Sequence, residues 1–174
     1  AVLLGLDVDR MLENARDAAA RWMLDPWSDA GPALLATVLA VAAELGRDAL
    51  HLLVPTEGGM FGSWVEQLVA ESSGKDGVGV LPVVCTDVDD VIAHGRAVVV
   101  ALGPTPGPVA LAVLEAHGVP VLVMPWSGPD AVASEALRWM QAIPLLCAQL
   151  GVDPFDQPDV AAAKAATAQA LASG

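Results

Sequence analysis

The order of apolar and polar positions divides the chain into alternating helices and strands. Met11, Leu12, Ala15, Ala19 and Trp22 recur at helical spacing, and Asp7 or Asp9 is placed to cap a helix over residues 8–24. Two prolines punctuate the loop at 25–32, and Pro32 suits the first turn of a second helix that runs to about residue 45 and stops at Gly46. Apolar residues fall nearly all round that helix, which predicts deep burial. Residues 49–54 read as a strand ending at Pro55, and a helix follows over 61–71. A Ser-Ser-Gly turn then leads to a second strand at 78–84, where Pro82 points to an edge position or to the strand's end. Residues 88–94 form a short helix or helical turn. The valine-rich run 97–102 has the pattern of a strand covered on both faces. A helix over 108–117 closes at Gly118, a fourth strand spans 119–124, and a long helix over 131–150 ends at Gly151, with a kink expected at Pro144. An alanine-rich helix over 158–171 completes the chain.

Strands alternating with helices of ten or more residues give an α/β fold. It is a single-domain, three-layer αβα sandwich with a parallel, flavodoxin-like sheet and right-handed crossovers. A length of 174 residues suits one compact domain, and 55% hydrophobic residues supply its core.

Charge narrows the functions open to this fold. Eight Lys and Arg stand against 21 Asp and Glu, a formal net charge of -13. That balance argues against nucleic acid, whose phosphates need basic patches, and against an anionic membrane surface. The longest apolar stretch, 33–43, is too short to span a bilayer, and residues 1–20 lack the pattern of a secretory leader. Cys85 and Cys147 are far apart, and no Cys/His cluster has metal spacing. Both read as buried, reduced thiols of a cytoplasmic protein.

Candidate chemistry is sparse. Loops at 55–60, 103–108 and 125–130 leave strand ends, where open α/β sheets bind ligands. The Thr56-Glu57-Gly58-Gly59 loop precedes a helix but matches no phosphate-binding fingerprint, so an ordinary turn is the default. Asp87, Asp89 and Asp90 read as a solvated face, and the five tryptophans mostly as core or lid residues. Glu71 stands where a helix stops, a place where a glutamate is most often solvated. Gln157 and Lys164 are seven residues apart, which puts both on one face of a helix, two turns apart. Lys164 is the only Lys or Arg after Arg138.

Several separated blocks resemble glucose-6-phosphate isomerase. They are Gly5-Leu6-Asp7-Val8-Asp9, then Gly46-Arg47-Asp48 before a strand, then the block from Trp64 to Val83 containing Glu71-Ser72-Ser73-Gly74-Lys75. Arg138-Trp139 and the run from Gly151 to Lys164 match the family's C-terminal signature. The wording is nearest to the bacterial branch in which a transaldolase is fused ahead of the isomerase. The resemblance implies a sugar-isomerase (SIS) domain, residues 1–174, forming the C-terminal part of a longer isomerase. It implies interconversion of glucose 6-phosphate and fructose 6-phosphate, a step of glycolysis and gluconeogenesis that requires no metal or organic cofactor. Glu71 would be the base, Lys164 would assist ring opening or stabilise negative charge, and Gln157 would position the lysine or the sugar. Ser72, Ser73 and Gly74 would shape the turn at the substrate. Implied partners are the phosphosugar, an upstream SIS domain, a transaldolase domain and a second copy in a homodimer.

Two features depart from the family. Its ring-opening histidine has no counterpart in Val84-Cys85-Thr86-Asp87-Val88-Asp89-Asp90, and the family's phosphate loop belongs to the preceding domain. These departures leave a non-catalytic SIS module, binding a phosphosugar or mediating oligomerisation, as the alternative. A flavodoxin-like domain of unrelated function is a third reading.

Overall fold

The computed structural model describes residues 6–28, 31–54, 59–75, 77–93, 95–103, 106–124, 128–156 and 158–173. Helix α1 (Val8–Leu24) starts at Asp7, whose carboxylate accepts from the Arg10 amide at 3.0 Å. Helix α2 (Pro32–Glu44) opens on proline, as its sequence predicts. The remaining elements are β1 (Ala49–Leu53), α3 (Gly59–Ser73), β2 (Leu81–Cys85), α4 (Val88–Ile92), β3 (Ala97–Leu102), α5 (Pro108–Ala116) and β4 (Val121–Met124). A 3-10 turn (Pro129–Ala131) then leads into α6 (Val132–Leu150), and the chain closes with α7 (Pro158–Ser173). Helix α6 continues through Pro144, which cannot donate to the Met140 carbonyl.

All strand pairs are parallel, in the order β2-β1-β3-β4. One sheet face carries Leu50, Leu52, Val98, Val100 and Leu102. It packs on Leu35 and Leu39 of α2, Val65 and Val69 of α3, and Trp139, Ile143 and Leu146 of α6. The other face carries Cys85 and Val99 and is covered by Val91 of α4 and Leu114 of α5. Helix α1 lies outside this sandwich, against α6. Burial raises the Cys85 thiol to about 11, reinforced by Asp90 and Asp87, so the thiol stays protonated at neutral pH.

Several expectations differ from the structure, and the fourth strand, for one, starts at Val121 rather than at 119. The second strand starts at Leu81 rather than 78, because Gly77 and Gly79 take φ of 75° and 133° and turn the chain instead of extending it. Helix α3 is two residues longer at each end than its pattern predicts. Helix α2 is not buried all round: Val41 is exposed, as is its cap Leu45. Of the tryptophans, Trp22 and Trp139 are core, Trp27 and Trp64 are exposed, and Trp126 lies outside the described residues.

Pro82 sits in β2, at the sheet's edge. The Leu81 amide donates to the Asp48 carbonyl, and Val54 donates to Cys85, so the odd-numbered residues of β2 bond to β1. Pro82 and Val84 therefore turn their backbones outward.

A buried ion pair lies where α1 meets α6. Arg138 reaches Glu135 at 3.1 Å, and its guanidinium lies 5.2 Å from the centre of the Trp22 ring. Among the described residues Glu135 Oε2, Arg138 Nε and Arg138 Nη1 find no hydrogen-bond partner. Burial pushes the Glu135 carboxyl up to about 7, against the opposing pull of Arg138. Burial likewise lowers Arg138, with Arg21 acting in the same direction and Glu135 against it. A raised carboxyl means that the folded chain holds a proton which the unfolded chain has released between about pH 4.5 and 7. Stability from this group is therefore full at the acid end and is lost as pH rises through 7. The melting temperature of the native protein should fall from pH 5 to pH 8 more steeply than that of Glu135→Gln. Thermal unfolding of both proteins across that range checks the sign.

Candidate functional site

Helix α3 leaves the carboxyl end of β1 and returns to the amino end of β2. Glu71, in its last turn, therefore stands at the amino edge of the sheet, and it is exposed. Beside it a hollow of about 230 Å³ is lined by Asp48, Ala70, Gly74, Gly79 and Leu81 among others.

The turn after Glu71 is fixed by its own backbone. The buried Ser73 hydroxyl donates to the Val69 carbonyl at 2.8 Å and accepts from the Val80 amide at 3.3 Å. It ties the end of α3 to the approach of β2. Gly74 donates to Ala70, and a Cβ at Gly74 would meet that carbonyl oxygen at 2.8 Å. Gly79 is more constrained still: at φ +133° its Cβ would lie 2.4 Å from the Ser73 oxygen. Ser72 is half-buried, and its carbonyl faces the Cys147 thiol at 3.5 Å.

Lys75 ends this turn. Only 5% of it is exposed, yet its ammonium is fully engaged. It donates to the backbone carbonyls of Asp153 and Asp156, and it meets the Asp156 carboxylate at 2.8 Å. Three N–H donors thus find three oxygens, so the buried ammonium leaves no donor unpaired. Its backbone forms an antiparallel bridge with Val78. The connector from Gly151 to Asp156 is ordered in turn. Gly151 takes the left-handed conformation that ends α6, Val152 donates to Cys147, and Phe155 donates to the Asp153 carboxylate. The sequence pattern assigns Lys75 and Asp156 no role. The usable signal is a lone lysine inside an apolar, acidic stretch.

Lys164 is exposed on α7, as is every side chain from 162 to 172. Gln157 lies outside the described residues, just before the first residue of α7. The structure thus brings Glu71, Ser72, Ser73 and Gly74 onto one turn and fastens to that turn the connector that leads to Gln157 and α7.

A second hollow, of about 350 Å³, opens at the opposite edge, where the carboxyl ends of β1 and β3 meet Thr86, Asp87 and Gly107. This is where the strand order reverses, the usual ligand site of open α/β sheets. Asp87 there caps α4 by accepting from Asp89. Of the candidate loops, 55–58, 104–105 and 125–127 lie outside the described residues. Among the described residues no group of three His, Cys, Asp or Glu is disposed to hold a metal ion, and no helix is long and apolar enough to cross a membrane.

The turn makes a stability prediction. Ser73→Ala leaves a buried amide unpaired at Val80 and should cost about 1–3 kcal/mol. Gly79→Ala, which combines strain with collision, should cost about 3 kcal/mol. Denaturant unfolding of each variant measures both.

No family model matches the chain. Its fold is similar to that of the hypothetical protein TT0462 from Thermus thermophilus, with a TM-score of 0.74 and 23% identity over 97% of this chain and 51% of that one. It is also similar to a glucose-6-phosphate isomerase from Chlamydia trachomatis, with a TM-score of 0.64 and 17% identity over 94% of this chain and 42% of that one. The chain therefore spans about half the length of these structures or less. At such identities the likeness is one of fold: an α/β sandwich with a parallel sheet, shared with a sugar-phosphate isomerase.

Proposed function

We propose that this chain is the C-terminal SIS-type half of a glucose-6-phosphate isomerase and supplies the base to a site completed by another domain. The observation that carries the reading is the contact between the two blocks that resemble that family. The turn after Glu71 and the connector before Gln157 are separated by about eighty residues, yet Lys75 joins them. The fold likeness to a longer glucose-6-phosphate isomerase supports it.

In this mechanism Glu71 removes the C2 proton of open-chain glucose 6-phosphate as O1 gains a proton, and returns it to C1 of the cis-enediol as O2 loses its proton, giving fructose 6-phosphate. Lys164 stabilises negative charge on the enediol oxygens, and Gln157 orients the sugar. Ser73 and Gly74 act by fixing the turn rather than by touching substrate, since the Ser73 hydroxyl is already engaged on both sides. Glu71 is exposed in this chain, so an upstream SIS domain would cover it and bring the phosphate anchor. Positioning by that anchor supplies much of the rate, which makes the two halves interdependent. A cytoplasmic setting and assembly behind a transaldolase domain or as a homodimer belong to the same reading.

The lack of a histidine in the 84–90 segment favours a second reading, a non-catalytic module that binds a phosphosugar without turnover. The experiment is conversion of fructose 6-phosphate to glucose 6-phosphate by the full-length protein that carries this chain, with a Glu71→Gln control. The isomerase reading expects turnover that falls by about 10³-fold in the control. Tight phosphosugar binding with no turnover would replace it with the second reading.

A further inference from the structure

We infer that Lys75 is a positioning residue: its buried ammonium latches the connector from Gly151 to Asp156, and so sets where the helix that carries Lys164 stands relative to Glu71. The inference rests on the isomerase reading for its catalytic part. The latch itself rests on geometry alone.

Several observations converge on it. Lys75 is four residues from Glu71 and shares its turn. Its acceptors are Asp153 and Asp156, and Asp156 directly precedes Gln157. Two of the three contacts go to backbone carbonyls, so the ammonium fixes the path of the connector and not merely one side chain. Among its described side chains helix α7 offers no burial that could hold it otherwise, since those from 162 to 172 are all exposed. Among the described residues the connector is thus the part of the C-terminal segment that is tied to the Glu71 turn. Cys147 reinforces the junction by reaching the Ser72 carbonyl from the last turns of α6.

The side chains of this latch differ in exposure. Asp156 has a half-exposed carboxylate, whereas the lysine is shut away from water. Removing the lysine charge therefore leaves Asp156 free to turn to solvent instead of stranding a buried anion. Lys75→Met should fold and should lose the latch.

The test uses the full-length protein and two readouts. Hydrogen exchange should accelerate about ten-fold or more over residues 151–164 in Lys75→Met, while β1 and β3 keep their protection. In the turnover assay kcat should fall about ten-fold or more with KM for fructose 6-phosphate nearly unchanged, because misplaced catalytic groups slow chemistry more than binding. Unchanged exchange over 151–164 overturns the latch, and a loosened segment with full kcat overturns the positioning role. Should Lys75→Met fail to fold, Asp156→Ala removes one acceptor from the exposed side and must loosen the same segment to a smaller degree. Absence of turnover by the unsubstituted protein removes the isomerase reading, and the catalytic role with it, while exchange still decides whether Lys75 holds the connector.

Discussion

Strand β3 sets the terms for the rest of the chain. All six of its residues are buried, so both faces of the sheet at its centre must be roofed by helices. A strand of Ala, Val and Leu cannot present either face to water without losing the burial that orders it. Helices α2, α3 and α6 cover one face and α4 and α5 the other. The parallel direction follows, because crossovers long enough to hold α3, α4 and α5 return each strand to the same edge. Two chemically different edges result. One collects the strand ends and the Thr86–Asp87 hollow, and the other collects the end of α3 and the start of β2.

Glu71 and Lys75 belong to the second edge. Polar groups there are held by short-range backbone constraint rather than by a deep pocket. Ser73, Gly74 and Gly79 interlock within a few ångströms, and that small knot delivers one exposed carboxylate and one buried ammonium. The ammonium then fastens a segment from the far end of the chain.

Much of this architecture is legible in the sequence. Strand β3 and helix α1 fall on their predicted bounds, because an unbroken apolar run and a capped amphipathic helix are local signals. Strand β2 does not, since the apolar residues before it belong to a glycine turn whose φ values no hydrophobic pattern records. The motif around Glu71 says nothing of how its turn is constructed, since the contacts of Ser73, Gly74 and Gly79 have no signature in residue spacing. The partnership of Lys75 with Asp153 and Asp156 spans the chain, and nothing in the spacing of either segment announces it. The same limit hides the packing of Arg138 on Trp22 between α6 and α1. The i,i+3 relation of Glu135 to Arg138 is local, but the ring that Arg138 covers is not.

Pro82 has a consequence for how the molecule meets others of its kind. A β-sheet ends in a row of open backbone groups, and an unguarded edge invites another chain to zip on. On the outer side of β2 the positions facing away are Pro82 and Val84, and proline has no N–H to offer. The strand keeps a single outward donor, at Val84. A ladder needs donors at successive rungs, so the sheet is blunted against growth on that side, and association by strand addition is disfavoured there in a protein otherwise rich in valine and leucine.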